Sequence, residues 1–141
     1  MDSRWEERRL KMPKVSRILI VEDEPELAEA LKTNIISWGY KALGADSART
    51  AHEKMRNEKF GIIILDLNLK EKSGLSVIEG LRGNTHALNR TTPIFIHSGF
   101  INKSIVGTHS TQISEFFVKP VKMPSLKEKI EKWLGESHEA S

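Results

Sequence analysis

The chain has 141 residues, 22 Lys and Arg, 19 Asp and Glu, and no cysteine, a size that predicts one domain within the usual range of about 100–200 residues. Apolar residues at 38% and charged residues at 29% suit a globular protein that buries a core without staples, and the missing cysteine excludes disulfide frameworks, thiolate zinc sites and thiol nucleophiles. The formal charge of +3 points toward nucleic acid only until it is located: residues 1–17 carry the whole excess, and the other 124 are neutral.

The first 14 residues read as a flexible basic arm, holding Arg4, Arg8, Arg9, Lys11 and Lys14 around Trp5 and Met12. They lack the apolar stretch of roughly 7–15 residues that a secretory signal needs. No apolar run nears the roughly 20 residues of a membrane span. The expected location is therefore the cytoplasm, with no membrane partner.

From Arg17 onward, short apolar runs alternate with helical patterns. The first run, Ile18–Val21, is followed by Pro25, a good first helical residue, and then by Leu27, Leu31, Ile35 and Trp38 at helical spacing, with Gly39 as the stop. A weaker run spans Tyr40–Ala45, and Ser47 is placed to cap a helix carrying Ala48, Ala51 and Met55. Ile62–Leu65 precedes a helical pattern of Leu75, Val77, Ile78 and Leu81. Ile94–Ile96 precedes the segment 102–113, a poor helix former that contains Gly107 and many Ser, Thr and Ile residues. Phe116–Val118 precedes a last helix from Pro124, with Leu126, Ile130, Trp133 and Leu134 on one face, and residues 135–141 form a polar tail.

Continuous apolar runs, rather than alternating ones, are those of strands covered on both faces. The prediction is an α/β domain over residues 15–134, a (βα)5 doubly wound three-layer sandwich with right-handed crossovers.

Open α/β sheets bind ligands beyond the carboxyl ends of their strands. The first run ends on Glu22-Asp23-Glu24, the third on Asp66, the fourth on His97-Ser98-Gly99 and the fifth on Lys119-Pro120. Crowded carboxylates repel one another unless protonated or bound to a cation. Asp23 and Asp66 on adjacent strands would make a hard oxygen site suited to Mg²⁺. Such a site lets an anionic phosphoryl group approach Asp66, which would act as a nucleophile. Lys119 and Ser98 would hold phosphoryl oxygens.

Four motifs in this order resemble the receiver domain of bacterial two-component response regulators in its CheY-like, stand-alone form. They are Ile18–Glu24, Ile62–Leu69 with Ser73-Gly74 following, Pro93–Gly99 and Phe116–Pro120. The resemblance implies a flavodoxin-like five-stranded parallel sheet in the order 2-1-3-4-5. It implies that Asp66 is the phosphoacceptor. Asp23 would ligate Mg²⁺ directly and Glu22 through water, with Asp66 and the backbone carbonyl of Asn68 completing the protein ligands and Mn²⁺ as a substitute ion. Ser98 would be the switch hydroxyl, Phe116 the aromatic that follows it, and Lys119 the phosphoryl-binding lysine, with a cis peptide between Lys119 and Pro120. Asn68 and Phe100 stand where receivers tune phosphoryl lifetime.

The implied function is that of a phosphoacceptor rather than an enzyme. It would be charged by a sensor histidine kinase or a histidine phosphotransfer protein and would signal to a downstream protein target, with no DNA-binding domain attached. Two other readings stay open: a receiver-like protein-binding module that works without phosphorylation, and a small phosphohydrolase using Asp66 as nucleophile. Asn68 counts against the hydrolase, because it stands where a carboxylic general acid is needed. Lys70, His97 and the stretch 109–115 depart from the family pattern. His97 is expected to be a packed or hydrogen-bonded histidine facing away from Ser98, and Phe116 has plain core as its alternative. Glu26 and Glu29 read as helix N-terminal charges rather than site residues.

Overall fold

The computed structural model describes residues 16–69, 73–83, 88–99 and 112–135. The expected basic arm, Phe100, most of the weak helical segment 102–113, and nearly all of the polar tail lie outside them.

Five strands and four helices follow one another among the described residues. They are β1 (Arg17–Val21), α1 (Pro25–Ser37), β2 (Lys41–Ala45), α2 (Ala48–Asn57), β3 (Ile62–Leu65), α3 (Leu75–Gly83), β4 (Ile94–Ser98), β5 (Glu115–Val118) and α4 (Met123–Leu134). The sheet has the order β2-β1-β3-β4-β5, and every neighbouring pair is parallel.

Alternation along the strands divides the core between two faces. Ile18, Ile20, Ile62, Ile64 and Phe95 pack with Leu31 and Ile35 of α1 and Leu126 and Ile130 of α4. Leu19, Val21, Ile63, Leu65, Ile94 and Ile96 pack with Ala48, Ala51 and Met55 of α2 and Val77, Ile78 and Leu81 of α3. Two helices on each face cover the central strands completely, and β3 and β4 are buried throughout. This is why Ile62–Leu65 and Ile94–Ile96 are apolar at every position.

The edges differ. β5 pairs only with β4 among the described residues, and Phe116 and Val118 stay 37% and 60% exposed. The third apolar residue of that run, Phe117, packs against Phe95 with ring centroids 5.7 Å apart.

Local signals act as their chemistry suggests. Pro25 opens α1, and Gly39 follows the helix with φ at 99°, in the left-handed region open to glycine. The Ser47 side chain accepts from the Thr50 amide at 3.1 Å and caps α2. One expectation is corrected. Helical spacing puts Trp133 on one face with Leu126, Ile130 and Leu134, but it is 40% exposed while Leu126 and Ile130 are buried. Its indole Nε1 donates to Glu115 Oε2 at 2.7 Å, so the ring lies over β5 instead of under the sheet.

Candidate functional site

The site is built at the carboxyl ends of β1, β3, β4 and β5. Glu22, Asp66, Ser98 and Lys119 each stand at the end of a strand or one position beyond, still held by the ladder. The Glu22 amide donates to Ala45 O at 2.9 Å, the Asp66 amide to Val21 O at 3.0 Å, and the Lys119 amide to Ser98 O at 2.9 Å. Continuing strand hydrogen bonds therefore fix the backbones from which the functional side chains project.

Glu22, Asp23 and Asp66 each present a carboxylate oxygen, and these oxygens lie within 4.8 Å of one another. Two unit charges at that distance repel by roughly 3 kcal/mol at an effective dielectric of about 20. Lys119 answers part of this. Its Nζ donates to Asp66 Oδ2 at 2.8 Å and stands 2.9 Å from Glu22 Oε1. Burial alone would lower the lysine's pKa, but the close contacts and charges of Asp66 and Glu22 outweigh it, and the pKa is raised. Burial raises the pKa of Glu22, against the opposing pull of Lys119 and the Glu24 amide. That amide reaches Glu22 Oε2 at 3.2 Å.

The donor set fits a hard divalent cation. Glu22 and Asp66 share the Lys119 ammonium with Asp23 beside them, and Glu22 Oε1, though within ion-pair distance of Lys119, makes no hydrogen bond of good geometry among the described residues. A divalent cation with oxygen preference suits that arrangement.

The remaining strand end supplies Ser98, fully buried at the close of β4. Its neighbour His97 faces the other way, in register with Phe117. It is 2% exposed, and neither ring nitrogen has a hydrogen-bond partner. The expectation of a packed histidine therefore stands without the hydrogen bond. Burial, then the charge of Lys119, push its pKa down to about 4, with Asp66 pulling the other way.

The loop after β3 folds back on itself. Asn68 bridges to Ser73, and the Gly74 amide donates to Leu67 O at 2.9 Å. A Cβ at position 74 would collide with the Asp66 carbonyl oxygen and stand 2.9 Å from Leu67 Cα, so glycine allows the loop to close over the carboxylate's own backbone. The Asn68 amide donates to Asp66 Oδ1 at 2.9 Å, and its side-chain Nδ2 donates to Ser98 Oγ at 3.2 Å. This side-chain contact is not visible from sequence spacing.

The structure thus brings Glu22, Asp23, Asp66, Asn68, Ser98 and Lys119 to one sheet edge. The Lys119–Pro120 peptide bond is cis. Phe116 lies one strand position from Phe117 and is more than a third exposed, which departs from the core alternative. Phe100 lies outside the described residues. Among the described residues no helix is long and apolar enough to cross a membrane.

A parallel doubly wound sheet with an acidic trio, a hydroxyl and a lysine at its carboxyl edge defines a receiver. A family model, the response regulator receiver domain, matches residues 18–131, and the chain belongs to that family. It is 26% identical over 122 residues to the transcriptional regulatory protein ZraR of Escherichia coli K12, covering 86% of this chain and 27% of that protein. The sensor histidine kinase AruS of Pseudomonas aeruginosa is 29% identical over 111 residues, which are 78% of this chain and 11% of the kinase. The chain thus spans about a quarter or less of these curated relatives.

Among solved structures, a CheY-like receiver domain from Methanospirillum hungatei superposes with a TM-score of 0.80 at 23% identity, covering 91% of this chain and all of the other. The response regulator TrrA of Thermotoga maritima, solved with Mg²⁺ and beryllofluoride, gives a TM-score of 0.73 at 28% identity, covering 84% of this chain and 99% of its own.

Proposed function

We propose that this domain is a phosphoacceptor in a two-component phosphorelay, taking a phosphoryl group onto Asp66 from a phosphohistidine of a sensor histidine kinase or histidine phosphotransfer protein. The observation that carries the reading is the trio of carboxylates within 4.8 Å, with Lys119 shared between Asp66 and Glu22. A structural ion pair needs one acid; this lysine serves two, beside a third.

A carboxylate oxygen of Asp66 attacks the phosphorus as the bond from phosphorus to the histidine nitrogen breaks. The electron pair of that bond leaves on the imidazole, which takes a proton from solvent. Asp66 becomes an acyl phosphate. Lys119 holds one phosphoryl oxygen with its ammonium and Ser98 holds another with its hydroxyl. Asp23, Asp66, the Asn68 carbonyl and, through water, Glu22 would hold Mg²⁺, or Mn²⁺ in its place. The ion supplies neutralisation of the phosphoryl charge.

The new contacts of Ser98 and Lys119 bias a two-state surface that a downstream protein reads, in the cytoplasm where such kinases are charged. The domain turns over no substrate of its own beyond this self-catalysed transfer and slow loss of the phosphoryl group. Asn68 argues against hydrolase chemistry: it has no carboxylic proton to give, and its carboxamide is already engaged with Ser98.

The test is incubation with Mg²⁺ and acetyl phosphate. One phosphoryl group per chain, alkali-labile and lost in Asp66→Asn, is the expected result. Absence of any adduct would leave the phosphorylation-independent binding module standing, and multiple turnover on unrelated phosphate esters would favour the hydrolase.

A further inference from the structure

The Asn68 carboxamide has a job distinct from that of its backbone. We propose that Asn68 is a positioning residue for Ser98: its side chain fixes the serine oxygen as an acceptor, so that the hydroxyl proton is presented to a phosphoryl group on Asp66. The proposal rests on the reading of Asp66 as phosphoacceptor and adds to it the residue that sets the polarity of the switch hydroxyl.

Three observations carry it. First, Asn68 is an exposed loop residue, yet its Nδ2 turns inward to the fully buried Ser98 Oγ at 3.2 Å. Second, the same residue's backbone amide is bound to Asp66 Oδ1 at 2.9 Å. One residue therefore links the acceptor carboxylate of β3 to the hydroxyl of β4. Third, its reach is fixed, because Asn68 bridges to Ser73 and the Gly74 amide closes on Leu67 O.

The chemistry follows from the donor and acceptor inventory. A carboxamide nitrogen only donates, a phosphoryl oxygen only accepts, and a serine hydroxyl has one proton to give. With Nδ2 on one lone pair of Oγ, the hydroxyl proton is directed elsewhere. Without it, the hydroxyl rotates freely and can give its proton to a neighbouring carbonyl. Asn68 thus prepares Ser98 as a donor before the phosphoryl group arrives, which is preorganisation rather than direct contact.

The experiment measures the affinity of beryllofluoride, a non-covalent phosphoryl mimic, in the presence of Mg²⁺ by calorimetry. It uses the wild type, Asn68→Leu, Ser98→Ala and the double variant. Asn68→Leu keeps the backbone amide and carbonyl and removes only the donor; Asn68→Ala is the second choice if the first does not fold. Asn68→Leu is expected to bind about fivefold more weakly, the size of one net hydrogen bond. In the Ser98→Ala background the same change is expected to have no further effect.

An equal loss in both backgrounds would overturn the proposal, since a merely structural Asn68 acts without the serine. So would unchanged or tighter binding of Asn68→Leu. Failure of the wild type to bind beryllofluoride at all would remove the phosphoacceptor reading and this inference with it, whereas wild-type binding with an additive cycle would remove this inference alone.

Discussion

The two ends of the sheet carry polar clusters of opposite character. Where β3 and β4 begin, Asn89 is fully buried and every polar group of its side chain is used. Its Oδ1 accepts from the Phe60 amide at 2.7 Å, and its Nδ2 donates to Met55 O at 2.8 Å and Glu58 O at 2.7 Å. Thr92 Oγ1 stands 3.0 Å from the same Oδ1 and 3.2 Å from Phe60 O, its single proton serving either. Beside it, Arg82 donates to the carbonyls of Asn89, Arg90, Thr92 and Gln112, and burial lowers its pKa.

Where the strands end, Glu22 and Asp66 share the Lys119 ammonium beside Asp23, and among the described residues Glu22 Oε1 lacks a well-directed hydrogen bond and both ring nitrogens of the buried His97 are unpartnered. Both ends are polar and buried. The first is complete in itself and needs nothing further. The second gathers charge around one lysine, and under the proposed function it is where a cation and a phosphoryl group are received.

Substitutions at the two ends are therefore expected to separate stability from phosphorylation. The largest effect falls at Asp66. Asp66→Asn is expected to abolish the phosphoryl adduct while leaving thermal stability without Mg²⁺ unchanged or raised by up to about 1 kcal/mol, because a repelling charge is gone. Asn89→Ala is its mirror image. It strands the Phe60 amide and the Met55 and Glu58 carbonyls, and a loss of about 3 kcal/mol or more is expected in denaturant unfolding. Well below the melting temperature its adduct yield should match the wild type.

His97 comes next, and its effect depends on pH. Its pKa is about 4 in the folded protein against 6.5 as the ordinary value. The unfolded chain thus takes up the proton first as pH falls, and stability drops between pH 6.5 and 4 by roughly 3 kcal/mol from this group. His97→Leu is expected to flatten that part of the pH profile relative to the wild type; parallel profiles would show that the buried imidazole is protonated with no penalty.

Gly74→Ala follows, with a loss of about 1–3 kcal/mol from the forced contact with Asp66 and Leu67. This substitution should also slow adduct formation, since it shifts the acceptor's own backbone. The smallest effect belongs to Arg17→Ala. It breaks an ion pair to Glu58 whose side chains are 44% and 34% exposed, and it is expected to change stability by less than about 0.5 kcal/mol and phosphorylation not at all.

The contrast between the ends also explains what the sequence makes legible. The functional end is written locally. Glu22, Asp66 and Lys119 stand one position past an apolar run, and Ser98 stands two past another, so finding the strands finds the site. The double coverage of β1, β3 and β4 makes those runs apolar at every position. The structural end is not written this way, because Asn89 bonds to residues 29 to 34 positions away, and no local pattern encodes such partners. An edge position is equally silent: Phe116 and Val118 are as apolar as any core run, yet they are exposed on β5. Trp133 shows the limit of helical spacing, since its indole proton draws it to Glu115 instead of the core. The side-chain bond from Asn68 to Ser98 depends on how a folded-back loop meets the next strand, which residue type alone does not reveal.

The central claim is that the charged end receives a phosphoryl group at Asp66. Borohydride treatment after incubation with Mg²⁺ and acetyl phosphate reduces an aspartyl phosphate to homoserine with release of phosphate, and peptide mass spectrometry then locates it. Homoserine is expected at position 66 and at no other aspartate. Homoserine at position 23, 2-amino-5-hydroxypentanoic acid at position 22, or no reduced residue at all would overturn that assignment.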